Sequence, residues 1–413
     1  MNQPRIEIVP IKPAVNRDAE TTLDVLIRVT APDLPTSGTP RLPANLALVI
    51  DRSGSMGGSK LHFAREAAVE AVKQLDDRDR VSVVAFDDTV EVIVPSTPAT
   101  GREAIAAAIQ SIETAGSTAL HAGWLEGGTQ AAAFLRPGSL NRVILFTDGQ
   151  ANVGETSTKV ISDHVRGLQE RGVSTSAYGI GLGFNEDLLV AMAEAGDGNF
   201  EFIADPAQLP ALLAGELQGL KATFGRRASL GLRPMNGVKV LQVLNGYPPT
   251  SAGNLMIPNL IAGQPVLTVA RLSVPAGLTE TDLLGLRVAW DDPAGGARQK
   301  AHAVLSLPAV SAADFAALLE NAEVSEQVAL LEAAREKVQV MAALDRGDIA
   351  YAHQSSRAMS ERVASMRRTA LSSAELEDQE RLQAALDAGD LDLARKLASS
   401  QSYDRSRSKR RER

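Results

Sequence analysis

Residues 45–60 read NLALVIDRSGSMGGSK: an apolar run, Leu46-Ala47-Leu48-Val49-Ile50, then an aspartate, two alternate serines and three glycines. An uninterrupted apolar run closed by a glycine-rich turn predicts a strand buried on both faces. Asp51 then stands at the carboxyl end of that strand, with Ser53 and Ser55 just beyond it. A carboxylate and two hydroxyls this close to a core are costly unless they have partners.

The segments downstream repeat the theme. KLHFAREAAVEAVKQL carries Ala64, Ala68, Val72 and Leu75 at helical spacing, and RVSVVAF and VEVIV read as strands. NRVILFTDG is a second apolar strand, ending in Asp148. GREAIAAAIQSI, STALHAGWLEGGTQAAAFL, STKVISDHVRGLQERG and NEDLLVAMAEAG read as helices, and VSTSAYGIG and GNFEFI as strands. Strands alternating with helices predict an α/β fold, a doubly wound, mostly parallel sheet covered on both faces. This domain is expected over residues 37–222.

The flanks have other periods. Leu23, Val25, Ile27 and Val29 alternate in TTLDVLIRVT, and Leu284, Leu286, Val288 and Trp290 alternate further on. Residues 1–36 are expected to supply strands to a β-sandwich completed by residues 223–310, because an isolated hairpin is marginal in water. The α/β domain would then be inserted into that sandwich. Residues 311–400 are rich in Ala, Leu and Glu and predict a helical region. AALDRGDIAYA (342–352) and AALDAGDLDLA (384–394) form a weak repeat, with Asp348 and Asp390 placed as helix N-caps. Stacked hairpins, as in solenoids, and a plain helical bundle both satisfy this pattern. Residues 401–413 end in RSRSKRRER and are expected to be a basic, disordered tail.

In an open parallel sheet, ligands bind beyond the carboxyl ends of the strands. Asp51 and Asp148 are delivered to that edge by two strands, and Thr118 in AGSTALHAG lies between them in sequence. Taken singly, Thr118 reads as a helix N-cap, Asp148 as a turn residue before Gly149, and Ser53 and Ser55 as loop serines. Taken together, two carboxylates and three hydroxyls at one edge make a hard-oxygen site. Such a site suits Mg²⁺, or Mn²⁺ or Ca²⁺, rather than zinc.

DRSGSM is similar to the DxSxS motif of von Willebrand factor type A (VWA) domains, called the metal-ion-dependent adhesion site. Thr118 in GSTAL matches the threonine of that motif and Asp148 in FTDGQ its later aspartate, and the resemblance covers roughly residues 44–220. It implies a Rossmann-like fold in which Ser53, Ser55 and Thr118 contact the metal directly and Asp51 and Asp148 act largely through water. A partner protein's Asp or Glu would complete the shell. The flanks resemble those of bacterial multidomain proteins that carry this domain. Such proteins are similar to components working beside AAA+ ATPases or with kinase–phosphatase sets. The implied function is Mg²⁺-dependent protein binding, without catalysis.

Rival readings are weaker. GSMGGSK resembles a phosphate-binding loop, but Ser59 replaces its second glycine and Leu61 its Ser or Thr. A metal-dependent hydrolase of phosphatase or nuclease type is the alternative, with His121 as a base, but it would want more carboxylates. A closed structural metal site would not need so many hydroxyls. With no cysteines, disulfides and thiolate chemistry are excluded. A net charge of -8 argues against a dedicated nucleic-acid binder. No basic leader and no apolar run of ~20 residues is visible, so a soluble, cytoplasmic chain without a membrane span is expected.

Overall fold

A computed structural model describes residues 3–33, 42–136, 138–278, 281–366 and 368–408. The chain divides into two compact units. One comprises Met1–Leu34, Phe224–Asp292 and Gly296–Arg413, and the other Pro35–Thr223 with Pro293–Gly295.

The second unit is built on a six-stranded sheet. Its order is Val90–Pro98, Arg80–Phe86, Ala44–Asp51, Leu140–Thr147, Val173–Ile180, Phe200–Ile203. All neighbours pair in parallel except Val90–Pro98, which runs antiparallel along one edge. The strand order reverses between Ala44–Asp51 and Leu140–Thr147. That reversal is the topological switch point, where a crevice opens beyond the strand ends.

Side-chain alternation sorts the two faces. Leu46, Leu48 and Ile50 join a buried cluster with Ala64, Ala68 and Val72 of helix Ser59–Lys73 and with Leu213 and Leu217 of helix Leu209–Lys221. Each fully buried Leu, Ile or Val side chain among these is worth about 1.5–3 kcal/mol. On the other face lies helix Leu120–Ala132. A Cβ on Gly123 would stand 2.4 Å from the Phe86 ring, and one on Gly127 2.3 Å from Val49 Cγ2. These glycines cost the helix about 1 kcal/mol each relative to alanine, and they let its backbone lie directly on the sheet. The segment just before this helix, which holds Thr118, is thereby fixed at the strand ends.

In the first unit, two antiparallel sheets contribute to one core. One sheet runs Arg5–Pro10, Thr21–Thr30, Pro265–Val274, Lys239–Val243, and the other is centred on Thr223–Pro234, Asp282–Asp291 and Gln299–Ser306. Leu23, Val25, Ile27 and Val29 meet Leu284, Leu286, Val288 and Trp290 in this core. Thr21–Thr30 pairs along its whole length with Pro265–Val274, from Thr21↔Val274 to Thr30↔Pro265. Deleting residues 1–30 therefore bares a ten-residue strand edge and one side of the core. The truncated protein is expected to aggregate, as measured by light scattering after size exclusion. Unchanged oligomeric state and melting would contradict this.

The opposite face of that sheet is covered by the C-terminal helical region. Leu26, Leu244 and Val269 pack with Val324, Val328 and Leu331 of helix Ala322–Asp345. This helix and Ile349–Ser365, Ala370–Asp387 and Leu391–Ser406 pack in a closed ring, each against the next and the last against the first. The arrangement is a bundle, not an open solenoid. Asp348 and Asp390 cap their helices, accepting from Tyr351 N at 3.1 Å and Leu393 N at 3.0 Å. Inside the bundle, Glu375 accepts hydrogen bonds from Lys337 Nζ at 2.6 Å and Arg405 at 2.8 Å.

A tail beginning at residue 401 is corrected. Helix Leu391–Ser406 runs through that point, with Gln401, Ser402, Tyr403 and Asp404 buried. Ser408 Oγ then donates to Leu267 O at 2.8 Å, and Asn245 Nδ2 donates to Ser406 O at 3.1 Å. Paired polar groups hold this segment, a feature that a count of basic residues does not register. The rest of the expected tail, residues 409–413, lies outside the described residues.

Candidate metal centre

The two strands flanking the switch point end at Asp51 and at Thr147, the residue before Asp148. Asp51 is fully buried. Its Oδ2 accepts from Thr147 Oγ1 at 2.5 Å and its Oδ1 from Ser53 N at 2.8 Å. Burial pushes the Asp51 carboxyl up to about 6; the Thr147 and Ser53 hydrogen bonds oppose the rise, and the Asp148 charge adds to it. A carboxylate held this way gains from any cation placed beside it.

Ser53 opens the short 3₁₀ turn Gly54–Met56, which folds the chain back over the strand end. Met56 is the buried anchor of that turn. Ser53 Oγ and Ser55 Oγ are 3.2 Å apart, and Ser55 Oγ donates to Asp148 Oδ1 at 2.7 Å. Asp51, Ser53, Ser55 and Asp148 thus form one hydrogen-bonded group.

Thr118 reaches the same place from the other side. Its N–H donates to Asn152 Oδ1 at 3.1 Å, and its carbonyl accepts from Asn152 N at 3.2 Å. The helix that follows begins at Leu120 with Ala119 as its N-cap, and no side chain caps it. Thr118 is therefore not the capping residue. Its hydroxyl faces Gly149: a Cβ built there would lie 2.9 Å from Thr118 Oγ1 and 3.5 Å from Asp51 Oδ2. All five oxygen-bearing residues surround the first turn after the Leu140–Thr147 strand.

Two participants were not singled out from sequence. Thr147 secures Asp51 from the neighbouring strand. Lys60, in the first turn of helix Ser59–Lys73, donates to Asp148 Oδ2 and, at 3.3 Å, to Ser55 O. In the sequence Lys60 stands in the imperfect phosphate-loop pattern, which points to a different chemistry, and at the end of the loop Met56–Lys60, with no sign of its pairing to Asp148. His121, weighed as a base, is drawn away to His164, with Nε2 and Nδ1 3.0 Å apart.

The donor set fits a hard cation. It is all oxygen, with two carboxylates and three hydroxyls that rotate to suit, and a lysine ammonium already rests against one carboxylate. Among the described residues, no cluster of three or more His, Cys, Asp or Glu side chains forms a metal site.

Among the described residues no helix is long and apolar enough to cross a membrane. Residues 45–214 match the family described as von Willebrand factor type A domain. The chain is 32% identical over 188 residues to the uncharacterized protein YfbK of Escherichia coli (strain K12), covering 45% of this chain and 33% of that one. It is 31% identical over 180 residues to human inter-alpha-trypsin inhibitor heavy chain H3, covering 41% of this chain and 20% of that one. It thus spans a third or less of the length of these two relatives. In fold it is similar to a von Willebrand factor type A protein from Catenulispora acidiphila, with TM-score 0.71, 18% identity and coverage of 92% of this chain and 90% of that one. It is also similar to the ArnB paralog VWA2 of Sulfolobus acidocaldarius, with TM-score 0.64, 18% identity and 98% of each chain covered. Sequence match, strand order and the oxygen-lined switch point agree that residues 45–214 are a von Willebrand factor type A domain.

Proposed function

We propose that this domain is a divalent-cation-dependent protein-binding module and not an enzyme. VWA domains mediate protein–protein interaction and often bind a metal at this position. Asp51, Ser53, Ser55, Thr118 and Asp148 would hold Mg²⁺, or Mn²⁺ or Ca²⁺. When bound, the ion supplies an exposed positive charge that attracts a partner's Asp or Glu. The observation that carries this reading is the convergence of five oxygen-bearing side chains at the switch point.

The chain's own residues do the positioning. Thr147 and the Ser53 N–H fix the Asp51 carboxylate, Asn152 fixes the Thr118 segment, and Lys60 balances Asp148. The rim comes from Met56–Lys60, Ala115–Leu120 and Gln150–Thr156, short polar loops with few large apolar groups. Affinity for one site is therefore expected to be about micromolar. A component of an AAA+ ATPase or kinase–phosphatase system is the class of partner proposed. In the same reading, the two sheets of the other unit form a β-sandwich that receives the VWA domain as an insertion.

The test is capture of a partner from the native source, with and without EDTA. Thr118→Ala removes one hydroxyl and leaves both carboxylates, and it is expected to weaken capture as much as EDTA does. A partner whose binding survives both treatments is not read by this site.

A further inference from the structure

His121 and His164 sit on neighbouring helices of the VWA domain, Leu120–Ala132 and Thr158–Glu170. Besides the short Nε2···Nδ1 approach, their ring centroids are 5.1 Å apart and the planes are tilted by 31°. Two neutral imidazoles in this arrangement share one proton, and a metal ion in its place uses both nitrogens as ligands. Nitrogens at ordinary Zn–N distances on a tetrahedral ion stand about 3.3 Å apart, so the pair needs to open a few tenths of an ångström and the exposed His164 ring to turn its nitrogen toward the ion.

The surroundings favour such a ligand pair. Burial lowers the His121 pKa and the His164 ring lowers it further, against the opposing charge of Glu155, so His121 is a neutral ligand at neutral pH. Its ring stacks on Trp124, with centroids 6.0 Å apart and planes 26° from parallel. Trp124 is itself buried, and its Nε1 donates to Thr175 Oγ1 at 3.1 Å. One ligand is thus held rigidly, while the other, His164, is exposed and free to adjust. Among the described residues no third His, Asp or Glu completes the set. The remaining coordination positions are open to water or to an outside donor.

We infer that His121 and His164 form a second cation site, selective for late transition ions such as Zn²⁺, Ni²⁺ and Cu²⁺ and distinct from the oxygen site at Asp51 and Asp148. Imidazole nitrogen favours these ions, whereas Mg²⁺ and Ca²⁺ favour the carboxylate and hydroxyl set. An ion there ties together two helices, one that follows Thr118 and one that follows the loop beyond Asp148. The two sites thus share a mechanical frame without sharing a ligand.

The full chain is titrated with Cu²⁺ while tryptophan fluorescence is read, because Trp124 lies against His121. A saturable partial quench is expected, reversed by a large excess of Zn²⁺ and unaffected by millimolar Mg²⁺. His164→Gln and His121→Gln should each shift its midpoint about tenfold or more to higher Cu²⁺. Asp148→Ala should leave it in place. Zn²⁺ calorimetry on the same four proteins provides a second reading, in which one binding event disappears with either histidine. A quench midpoint and Zn²⁺ isotherm unchanged in both histidine variants overturn the inference, as does loss of the quench in Asp148→Ala. Circular dichroism of His164→Gln, a change at an exposed side chain, separates a lost ligand from a lost fold.

Discussion

Asp148→Ala is expected to weaken Mn²⁺ binding by about 100-fold or more, more than replacing an outer partner of a ligand typically costs, while the domain stays folded. The Asp148 carboxylate is buried, and it accepts from Ser55 Oγ at 2.7 Å and from Lys60. Removing it halves the negative charge of the site, and ion affinity in oxygen sites follows ligand charge. The fold survives because the groups left behind have somewhere to go. Lys60 is partly exposed and can turn to water, and so can Ser55. Asp51→Ala should weaken binding at least as much but cost more stability. Thr147 Oγ1 and the Ser53 N–H would lose a buried acceptor, a penalty of about 1–3 kcal/mol. Calorimetry with Mn²⁺ beside thermal melting measures both effects. Unchanged affinity in both variants would mean that the ligand set is misassigned.

A different loss is expected in the helical bundle. Glu375→Gln should cost about 3–5 kcal/mol, because it strands the ammonium of Lys337, which is 0% exposed. Burial alone would raise the Glu375 carboxyl, but the charges of Lys337 and Arg405 outweigh it and hold the group at about 2, below its ordinary 4.5. A carboxyl depressed in the folded state stabilises it fully above about 4.5, and the contribution drains away as pH falls towards 2. A shift of that size corresponds to about 3 kcal/mol. The variant should therefore be weaker at neutral pH and should also lose this acid limb. Lys337→Met should cost less, since Glu375 keeps Arg405 at 2.8 Å and no charge is left unpaired. Urea midpoints between pH 2 and 7 provide the check. A Glu375→Gln midpoint within about 1 kcal/mol of the parent, the range of a surface ion pair, would contradict the argument.

What the sequence disclosed followed the range of the interactions involved. The strand ending at Asp51 was legible because its apolar run and the turn after it are adjacent in the chain. Alternation likewise marked Leu23, Val25, Ile27 and Val29, and these residues do meet the facing sheet. The same strand also buries Leu26, on the side covered by helix Ala322–Asp345. Alternation alone left that side polar, because the covering helix lies far away in sequence. Asp51 and Asp148 were legible as strand-end carboxylates. Lys60 was not, since its pairing with Asp148 spans 88 residues and leaves no local pattern. The last helix was misread for a related reason. Its buried polar residues look like a solvated tail until the groups that pair with them are known.

The closure of the first unit also bears on the order in which the chain is made. Its opening strands lie near the start, yet its sheet receives hydrogen bonds from Ser408, and its bundle receives Arg405 at the Lys337–Glu375 pair. During synthesis the VWA domain emerges whole and can fold while translation continues. The other unit cannot close until residue 408 has cleared the ribosome, and until residue 274 emerges Thr21–Thr30 has Arg5–Pro10 on one edge and nothing on the other. The nascent chain thus holds one edge of a long, apolar strand open while the VWA domain is made, and it is then that a ribosome-associated chaperone has the most to shield.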